Sequence, residues 1–560
     1  MADVNTARLC AEIIHTHFGP LTGQVVSTLL TRGRLPLPQI VHYSQLKPRI
    51  VRASILVLVQ HNLLWHARNN GGAEVFEVNV DECFMRLRLG KIVFLARQLF
   101  GNVGEEIVQI VLDHGKLRLP DILSLLGVYE QKAIAVYRGA AHKLVTGTYL
   151  KPSTILSHVS PKDKQIKYEA EEKARISGFP TAKELKEVKQ VAEARLKREE
   201  EEAEKAGLKH KAVVEQQVHR SRKRKIEEVD DISIDETVYF RVNFDKFNVH
   251  IRNELIVDAA KKRYNNEAAT VLRALLKITE NSQRNVSEVR SGKSILDVGH
   301  DLALRDSPDP MSVANIVMQL SEEDGLARGL ILDEKKPSNA TCIKEYLGML
   351  SCGDNPTPAG KAASFVSFNS SKVQVEFDIV GRRLRRHVLE SVTKEKHGNE
   401  GVRILRLLMG TGKMDDKQIS KIVMMAGKDV RSLLTALATD SLISTQEVPK
   451  SADRNPTRTF YLWYVDQHKA FSTILGQVCK SLYNISMRRR AEREVPEVKA
   501  VLEKRERSDV RQDESLLTRL ERELVKEWEG KLEKLTALEM RVEETLFILK
   551  DLGVLGIEDD

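Results

Sequence analysis

The sequence predicts a mainly α-helical protein with small β-hairpins, in which one helical module is used several times before a C-terminal coiled coil. Three observations lead to this prediction. A nine-residue motif recurs along the chain, paired strand-like runs follow two of its copies, and a long apolar stripe with helical spacing lies near the end. Because one hydrophobic core rarely serves more than roughly 250 to 300 residues, a chain of 560 residues is expected to form several domains.

The repeated motif is GRLPLPQIV at Gly33, which recurs as GKLRLPDIL at Gly115 and, more weakly, as GKMDDKQIS at Gly412. An apolar pattern with helical spacing precedes each glycine, and another helical segment follows each motif. Each copy therefore predicts a helix, a turn, a short extended stretch and two further helices. The last helices of the three copies are predicted at residues 48–60, 131–145 and 428–439.

Strand-like runs follow two of these helices, at residues 63–65 and 75–78 and at residues 442–448 and 459–465. Three helices followed by a β-hairpin describe a winged helix, the variant of the helix-turn-helix that carries a wing. A further unit lacks the motif. It is predicted from helices at 267–280, 312–320 and 340–351 and from a hairpin across 363–377.

The predicted organisation thus has four winged helices before the coiled coil. A segment of mixed charge and little apolar periodicity interrupts them, and this composition suits a linker that is partly disordered. The predicted boundaries are 5–80 and 85–158 for the first two winged helices, 159–235 for the charged linker, 236–378 for the third winged helix with preceding helices, 379–468 for the fourth, and 469–555 for a helical hairpin or coiled coil.

The C-terminal stripe consists of apolar side chains that step by three or four from residue 517 to residue 549, as one face of a long helix requires. Lys531 and Thr545 occupy positions where a strict heptad needs apolar groups. A helical hairpin, within the chain or with a different chain, is therefore favoured over an ideal homodimeric coiled coil. The residues predicted to contact the partner helix are Leu524, Trp528, Leu535, Leu538, Val542 and Leu549.

Composition narrows the functional classes. No apolar run approaches the roughly 20 residues of a membrane span, and the N-terminus lacks the basic and apolar segments of a signal peptide. The five cysteines are scattered and show no spacing of a zinc site or a disulfide framework. We therefore expect no membrane association, no metal and no cofactor. The formal charge of +9 favours polyanionic partners without naming one.

Basic residues near the third helices and the wing are candidates for DNA contacts, because a winged helix can present this helix to a groove. Ordinary solvated surface is the alternative for each of them. Since no side chain can be assigned to a base edge, binding is predicted to depend on salt and DNA shape more than on sequence. The candidates are Lys428, Arg431, Arg454 and Arg458 in the fourth unit and Lys47, Arg49 and Arg52 in the first.

Other surfaces have different predicted partners. The run from Ile55 to Val59 is apolar on all sides of its helix, so its outer side is expected to be covered by another protein or a neighbouring unit. The basic runs at residues 488–490 and 504–507 are further candidates for phosphate contacts. A third basic run is a candidate nuclear import signal or polyanion contact, with a solvated charge run as the alternative. It comprises Arg222, Lys223, Arg224 and Lys225.

Motifs for catalysis are not found. The segment from Gly410 to Lys413 lacks the spacer and the final Ser or Thr of a phosphate-binding loop, and there is neither a nucleophile elbow nor a zinc-protease helix. No carboxylate cluster of the kind that holds two magnesium ions for nucleotidyl transfer is evident. The chain is therefore predicted to be non-catalytic.

Three segments, ARLCAEIIHTHFGPLTGQVVSTLLTRGRLPLPQIV, TVYFRVNFDKFNVHIRNELIVDAAKKRYNNEAATVLRALL and TRTFYLWYVD, resemble the largest winged-helix subunit of the initiation heterotrimer of RNA polymerase III. The resemblance implies a nuclear accessory subunit that joins two smaller subunits on the clamp of the polymerase core. It also implies roles in recruiting the promoter initiation factor and in opening DNA for tRNA and small RNA synthesis. The family is similar to the alpha subunit of TFIIE, but this chain lacks the cysteine quartet of that protein's zinc ribbon.

Two other functional classes remain open at this stage. A winged-helix scaffold of a proteasome-lid or translation-initiation assembly would not bind DNA, but it would place many helical hairpins before a single winged helix. A free-standing DNA-binding repressor would need a recognition helix with more exposed polar residues than residues 48–60 provide. The recurrence of the motif from the N-terminus onward favours the polymerase subunit.

Overall fold

The structure is a computed structural model in which the chain forms two compact units, Met1–Val249 and His250–Asp560. Each unit is described by itself. The residues that the structure describes are 3–68, 72–176, 181–205, 207–210, 232–280, 283, 285–286, 311–320, 325–330, 338–352, 355, 363–369, 372–449, 459–512 and 516–552.

The first unit contains ten α-helices and seven short strands among its described residues. The helices are α1 (Val4–Phe18), α2 (Pro20–Arg32), α3 (Leu37–Ser44), α4 (Pro48–Gln60), α5 (Val80–Met85), α6 (Leu89–His114), α7 (Leu119–Leu125), α8 (Gln131–Thr146), α9 (Pro161–Ala174) and α10 (Ala182–Lys205), with 3-10 turns at Arg86–Arg88 and Ile155–His158. The strands are β1 (Leu35–Pro36), β2 (Leu64–Arg68), β3 (Glu74–Val78), β4 (Leu150–Pro152), β5 (Leu208–His210), β6 (Ile232–Ile234) and β7 (Phe240–Val242).

Helix α11 (Phe244–Arg263) includes the boundary, and the described elements of the second unit follow it. The helices are α12 (Asn266–Glu280), α13 (Val313–Gln319), α14 (Asn339–Ser351), α15 (Phe377–Thr411), α16 (Asp416–Val423), α17 (Gly427–Thr439), α18 (Gln467–Glu494), α19 (Pro496–Arg505), α20 (Ser508–Gln512) and α21 (Arg519–Lys550), with a 3-10 turn at Leu326–Gly329. The strands are β8 (Met311–Ser312), β9 (Val366–Asn369), β10 (Lys372–Val375), β11 (Ser444–Pro449) and β12 (Thr459–Tyr464).

The fold class is confirmed: the protein is mainly α-helical, with small antiparallel strand pairs. The predicted last helices of the motif copies correspond to α4, α8 and α17, and the two predicted hairpins correspond to β2 with β3 and β11 with β12. The predicted third winged helix also has its expected elements, with the hairpin of β9 and β10 after α14. The same order of elements therefore occurs both with and without the motif.

The winged helix occurs in four copies, of which the third lacks the motif. In each copy a short extended stretch completes the small sheet in the same way. It follows an early helix and pairs antiparallel with a later strand. The pairs are Leu35 with Phe76, Leu117 with Phe240, Met311 with Val373, and Met414 with Trp463. In the second copy the later strand is β7, which also pairs with β4 and comes about ninety residues after it. From the sequence, residues 240–242 are predicted to belong to the third winged helix, but in the structure they complete a sheet of the first unit.

The motif glycine ends the helix that precedes the extended stretch. At Gly33 the backbone φ is +87°, and the N–H donates to the carbonyl of Leu29, four residues back. Gly115 and Gly412 take the same role at φ of +83° and +82°. A residue with a Cβ is strained at such angles, so the glycine in the motif has a structural reason.

The charged linker contains two packed helices, α9 and α10. Tyr168 of α9 and Val188 and Ala192 of α10 are buried although most neighbours are charged. The ion pairs Lys164–Glu199 at 2.5 Å and Arg195–Glu171 at 2.7 Å connect the two helices. A few apolar residues and these ion pairs thus join two helices within the segment that the sequence predicts to be a partly disordered linker.

The two long C-terminal helices pack side by side and run antiparallel. Arg489 of α18 pairs with Glu539 of α21, and Glu492, further along α18, lies 3.6 Å from Lys531, earlier in α21. The arrangement is a helical hairpin within the chain, which is one of the two forms that the sequence favours, whereas a coiled coil in the strict sense stays a prediction. Among the described helices, none has the length and apolarity that crossing a membrane requires.

Candidate nucleic-acid and partner interfaces

The first candidate surface is the start of α4, where Lys47, Arg49 and Arg52 are all exposed. Pro48 occupies the first helical position, and the carbonyl of Lys47 accepts hydrogen bonds from the N–H groups of the first turn at 2.9 and 3.2 Å. That turn contains no acidic residue. Within the described part of the chain none of the three cations forms an ion pair. Three uncompensated charges thus lie at a helix N-terminus, where backbone N–H groups also attract anions.

The outer face of α4 is apolar beyond these cations. Val51, Ile55 and Leu58 are buried on the inner face, whereas Leu56 is 71% exposed and Val57 40% exposed. The chain itself therefore covers one side of the helix only. The sequence led us to expect a cover on more than one side, and within the described residues that second cover is absent.

The second candidate surface, on α17, is closer to neutral than the sequence suggests. Val430, Leu434 and Leu437 are buried, which leaves Lys428 and Arg431 exposed as predicted. Arg431, however, donates from Nε to the Asp416 carboxylate at 2.7 Å. This hydrogen bond is the main reason that the pKa of Asp416 is lowered. Exposed Asp429 adds a further negative charge beside Lys428.

Two predicted sets fall outside the described residues, and their geometry is not discussed. They are Arg454 and Arg458 beside the wing turn, and the run Arg222, Lys223, Arg224 and Lys225.

The predicted stripe on α21 meets different neighbours along its length. Leu549 is buried in the core of the fourth copy with Leu405 and Ile474, so it is not available to another chain. Leu524 packs against a small cluster that includes Val501. Leu538, in contrast, is 47% exposed. Leu535 and Val542 are half-buried.

Trp528 is half-buried, and among the described residues its indole N–H has no acceptor. The ring lines a cavity of about 940 Å³ beside Leu532, Arg493 and Arg511. The neighbouring basic runs are partly neutralised, since Arg505 pairs with Glu529 at 2.9 Å and Lys504 with Glu521 at 2.8 Å. These ion pairs weaken the case for a phosphate track along residues 504–507.

The sequence predictions do not include a further basic cluster, at the start of α15. Arg382, Arg383, Arg385 and Arg386 lie there within five residues, and all four line one cavity. The sequence RRLRR at residues 382–386 indicates this cluster, because arginines three residues apart lie on neighbouring turns of a helix. The cluster precedes the winged-helix motif of the fourth copy, which is why the repeat does not point to it.

Two family models match the chain at the first and the fourth winged helix. The model described as RNA polymerase III subunit RPC82 helix-turn-helix domain matches residues 8–67. The model described as POLR3C, C-terminal winged-helix domain matches residues 389–465. The matched segments contain α4 and α17, the helices on which Arg49, Arg52, Lys428 and Arg431 of the predicted DNA contacts lie.

Similar proteins align with the chain over nearly its whole length. DNA-directed RNA polymerase III subunit RPC-3 of Coccidioides immitis is 26% identical over 97% of this chain and 99% of its own. The subunit rpc3 of Aspergillus niger is 25% identical over 98% and 100%, and RPC3 of Rattus norvegicus is 24% identical over 97% of both chains. The proteasome-lid or translation-initiation scaffold is not favoured. Both domain models and these full-length relatives agree, so the chain is similar over nearly its whole length to the RNA polymerase III subunits called RPC3.

Proposed function

We propose that the chain is a nuclear, non-catalytic subunit of RNA polymerase III that acts in transcription initiation. The observation that carries the proposal is the full-length similarity to proteins named as RNA polymerase III subunits. As a partner of the polymerase it binds the clamp of the core and two smaller subunits. It also recruits the promoter initiation factor and assists the opening of DNA.

The exposed apolar face of α4 supports a role in protein contacts. A helix whose outer face carries Leu56 and Val57 gains stability when a second protein removes that face from water. The exposed Leu538 on α21 supports the same role for the C-terminal helices. We assign these surfaces to subunit contacts.

The DNA contacts in this proposal are made with phosphates. The start of α4, with Lys47, Arg49 and Arg52, is favoured by its uncompensated charge. Lys428, Arg431, Arg454 and Arg458 remain the candidates in the fourth copy. Arg431 contributes only when it leaves the Asp416 carboxylate.

Affinity purification of the tagged chain from nuclei tests the assembly. We expect the RNA polymerase III core to be recovered together with two smaller subunits. Recovery of ribosomal or proteasomal proteins alone would contradict the proposal. Reversal of Arg454 and Arg458 to Glu is expected to weaken promoter opening while the chain stays on the polymerase, and unchanged opening would remove those residues from the interface.

Phosphate contact by α4 is tested by replacing Lys47, Arg49 and Arg52 with Gln and measuring the binding of the full chain to a duplex across a salt series. The slope of log K against log salt should fall by about one for each lost contact, with little change in sequence preference. The matched control removes the same charge from exposed positions of α10, namely Lys183, Lys186 and Lys189. Equal slopes for the two variants would show that α4 makes no phosphate contact.

Nuclear import through residues 222–225 is a separate part of the proposal. Alanine at Arg222, Lys223, Arg224 and Lys225 should move a fluorescent fusion of the chain from the nucleus to the cytoplasm. Unchanged accumulation would leave the basic run without this role.

A further inference from the structure

A cavity of about 700 Å³ in the second unit lies between α11, α15, α18 and α21. Its lining includes Lys262 and Arg263 from α11 and the four arginines of residues 382–386 from α15. The lining also contains three acidic residues, Asp258, Glu390 and Glu544, so its formal charge is +3. We call this cavity the arginine groove.

Two of the cations are held side by side at the groove. Nη1 of Arg263 and Nη1 of Arg383 both donate to the carbonyl oxygen of Ala363, at 3.2 and 2.7 Å. Arg383 also stacks on the Phe365 ring, with 4.0 Å between its guanidinium carbon and the ring centroid. In the described part of the unit, neither arginine has a carboxylate partner. Like charges held so close are stabilised when an anion joins them.

The electrostatic state of Arg383 agrees with this geometry. Burial, followed by the charge of Arg263, lowers the pKa of Arg383 to about 10. The acidic residue nearest in sequence, Glu390, is already occupied, because Arg386 at 3.0 Å and Arg406 at 2.7 Å both bind it. This carboxylate is therefore not available to Arg263 or Arg383.

Apolar side chains form the rest of the lining. They come from all four helices and include Leu255, Leu384, Phe471 and Ile548. A ligand that fills the groove therefore meets both cations and hydrocarbon. We propose that the arginine groove binds a short acidic segment of a partner protein, in which carboxylates alternate with apolar side chains.

Nucleic acid fits the groove less well. Single strands bind along open basic tracks with exposed aromatic rings on which bases stack. Of the two aromatic rings in this lining, Phe471 and His387, the phenyl ring has the Arg385 guanidinium 5.5 Å from its centroid. Carboxylates, in contrast, bind guanidinium groups in a planar bidentate geometry that needs no exposed aromatic ring. An acidic peptide is therefore the occupant that the charge and the apolar lining of the groove favour, whichever complex the chain joins.

The test measures fluorescence anisotropy of a labelled peptide of alternating Glu and Leu with the full chain. A peptide with Gln in place of Glu and an oligothymidine of equal charge serve as comparisons. We expect the acidic peptide to bind at least about tenfold more tightly than either, given the strength of hydrogen bonds to charged groups. Equal binding of the Gln peptide, or tighter binding of the oligothymidine, would overturn the proposal.

The location is tested with the exposed pair Lys262→Gln and Arg382→Gln, which leaves the Arg383 stack on Phe365 intact. The matched control removes two exposed charges from the start of α21, Arg519→Gln and Lys526→Gln. The groove variant should lose about tenfold in affinity for the acidic peptide while the control stays close to the unchanged chain. The same affinity for both variants, or photo-crosslinks of the peptide outside the lining residues, would refute the site.

Discussion

Gly101 and Gly104, both in helix α6 of the second winged helix, allow a direct test of how the two halves of that helix pack. Helix α6 changes direction at Gly101, where φ is +74° and ψ is −171°. Three residues later, a Cβ added to Gly104 would lie 2.3 Å from the Cβ of Phe100, which precedes the kink. Since Phe100 Cβ is fixed to the backbone, it cannot swing away. Gly104→Ala must therefore shift the two halves of the helix apart.

The size of the effect follows from two opposing contributions. Alanine in a helix interior is favoured over glycine by about 0.5 to 1 kcal/mol. Overpacking of a tight contact costs about 1 to 3 kcal/mol, and at 2.3 Å the upper part of that range applies. We expect Gly104→Ala to destabilise the first unit by about 2 kcal/mol net.

Gly139 of α8 is the matched control, because it is exposed, lies in the middle of a helix and would have no atom within 4 Å of an added methyl group. Gly139→Ala should stabilise the unit by about 0.5 to 1 kcal/mol. The two substitutions are chemically the same but have opposite expected signs.

The assay is native-state hydrogen exchange read for each peptide, since a chain of two units does not unfold in one step. Peptides of α6 should exchange faster in Gly104→Ala and peptides of α8 more slowly in Gly139→Ala. Equal protection in the two variants would refute the packing argument. The fourth copy offers a repetition, because Gly398 bends α15 at φ +70° and a Cβ on Gly401 would lie 2.7 Å from His397 Cβ.

Three further outcomes are expected. Burial is the largest cause that lowers the pKa of His61 to about 3 and of His158 to about 4, so as the pH falls the unfolded chain binds protons before the folded one does. The free energy of unfolding of the first unit, measured by hydrogen exchange of its peptides, should therefore be at its full value above pH 6.5 and fall as the pH drops toward 4. Arg252→Ala should destabilise the second unit by about 3 kcal/mol or more, measured by exchange, because the side chain is fully buried and leaves a cavity. Asp416→Asn should raise the affinity for duplex DNA, measured by anisotropy, because it releases Arg431, and an unchanged affinity would place Arg431 away from DNA.

Much of the fold follows from local patterns in the sequence. The predicted helix at 48–60 has the bounds of α4, because Pro48 starts it and apolar spacing continues to its end. The pairing of β4 with β7 could not be predicted in the same way. Its two strands are separated by the charged segment, so no turn residue marks the hairpin and only tertiary packing selects the partner.

The candidate site was less predictable, because charge on a surface depends on neighbours that sequence spacing does not reveal. Arg431 is exposed as expected, but its partner Asp416 lies fifteen residues earlier, on the preceding helix. Leu549 has the right spacing for a partner contact but is buried in the core of its own chain. In both cases the fold supplies the neighbour that decides what the residue can contact.

The four copies share one topology but differ in what the third helix presents to its surroundings. Helix α4 begins with three cations and no acidic residue, and it continues into an exposed apolar face. Helix α17 has an almost neutral surface, since Arg431 is paired and Asp429 lies beside Lys428. The backbone therefore does not determine the partner of a copy. We expect the few side chains outside each buried face to do so, and substitutions there should change binding while the stability of the copy stays within about 0.5 kcal/mol.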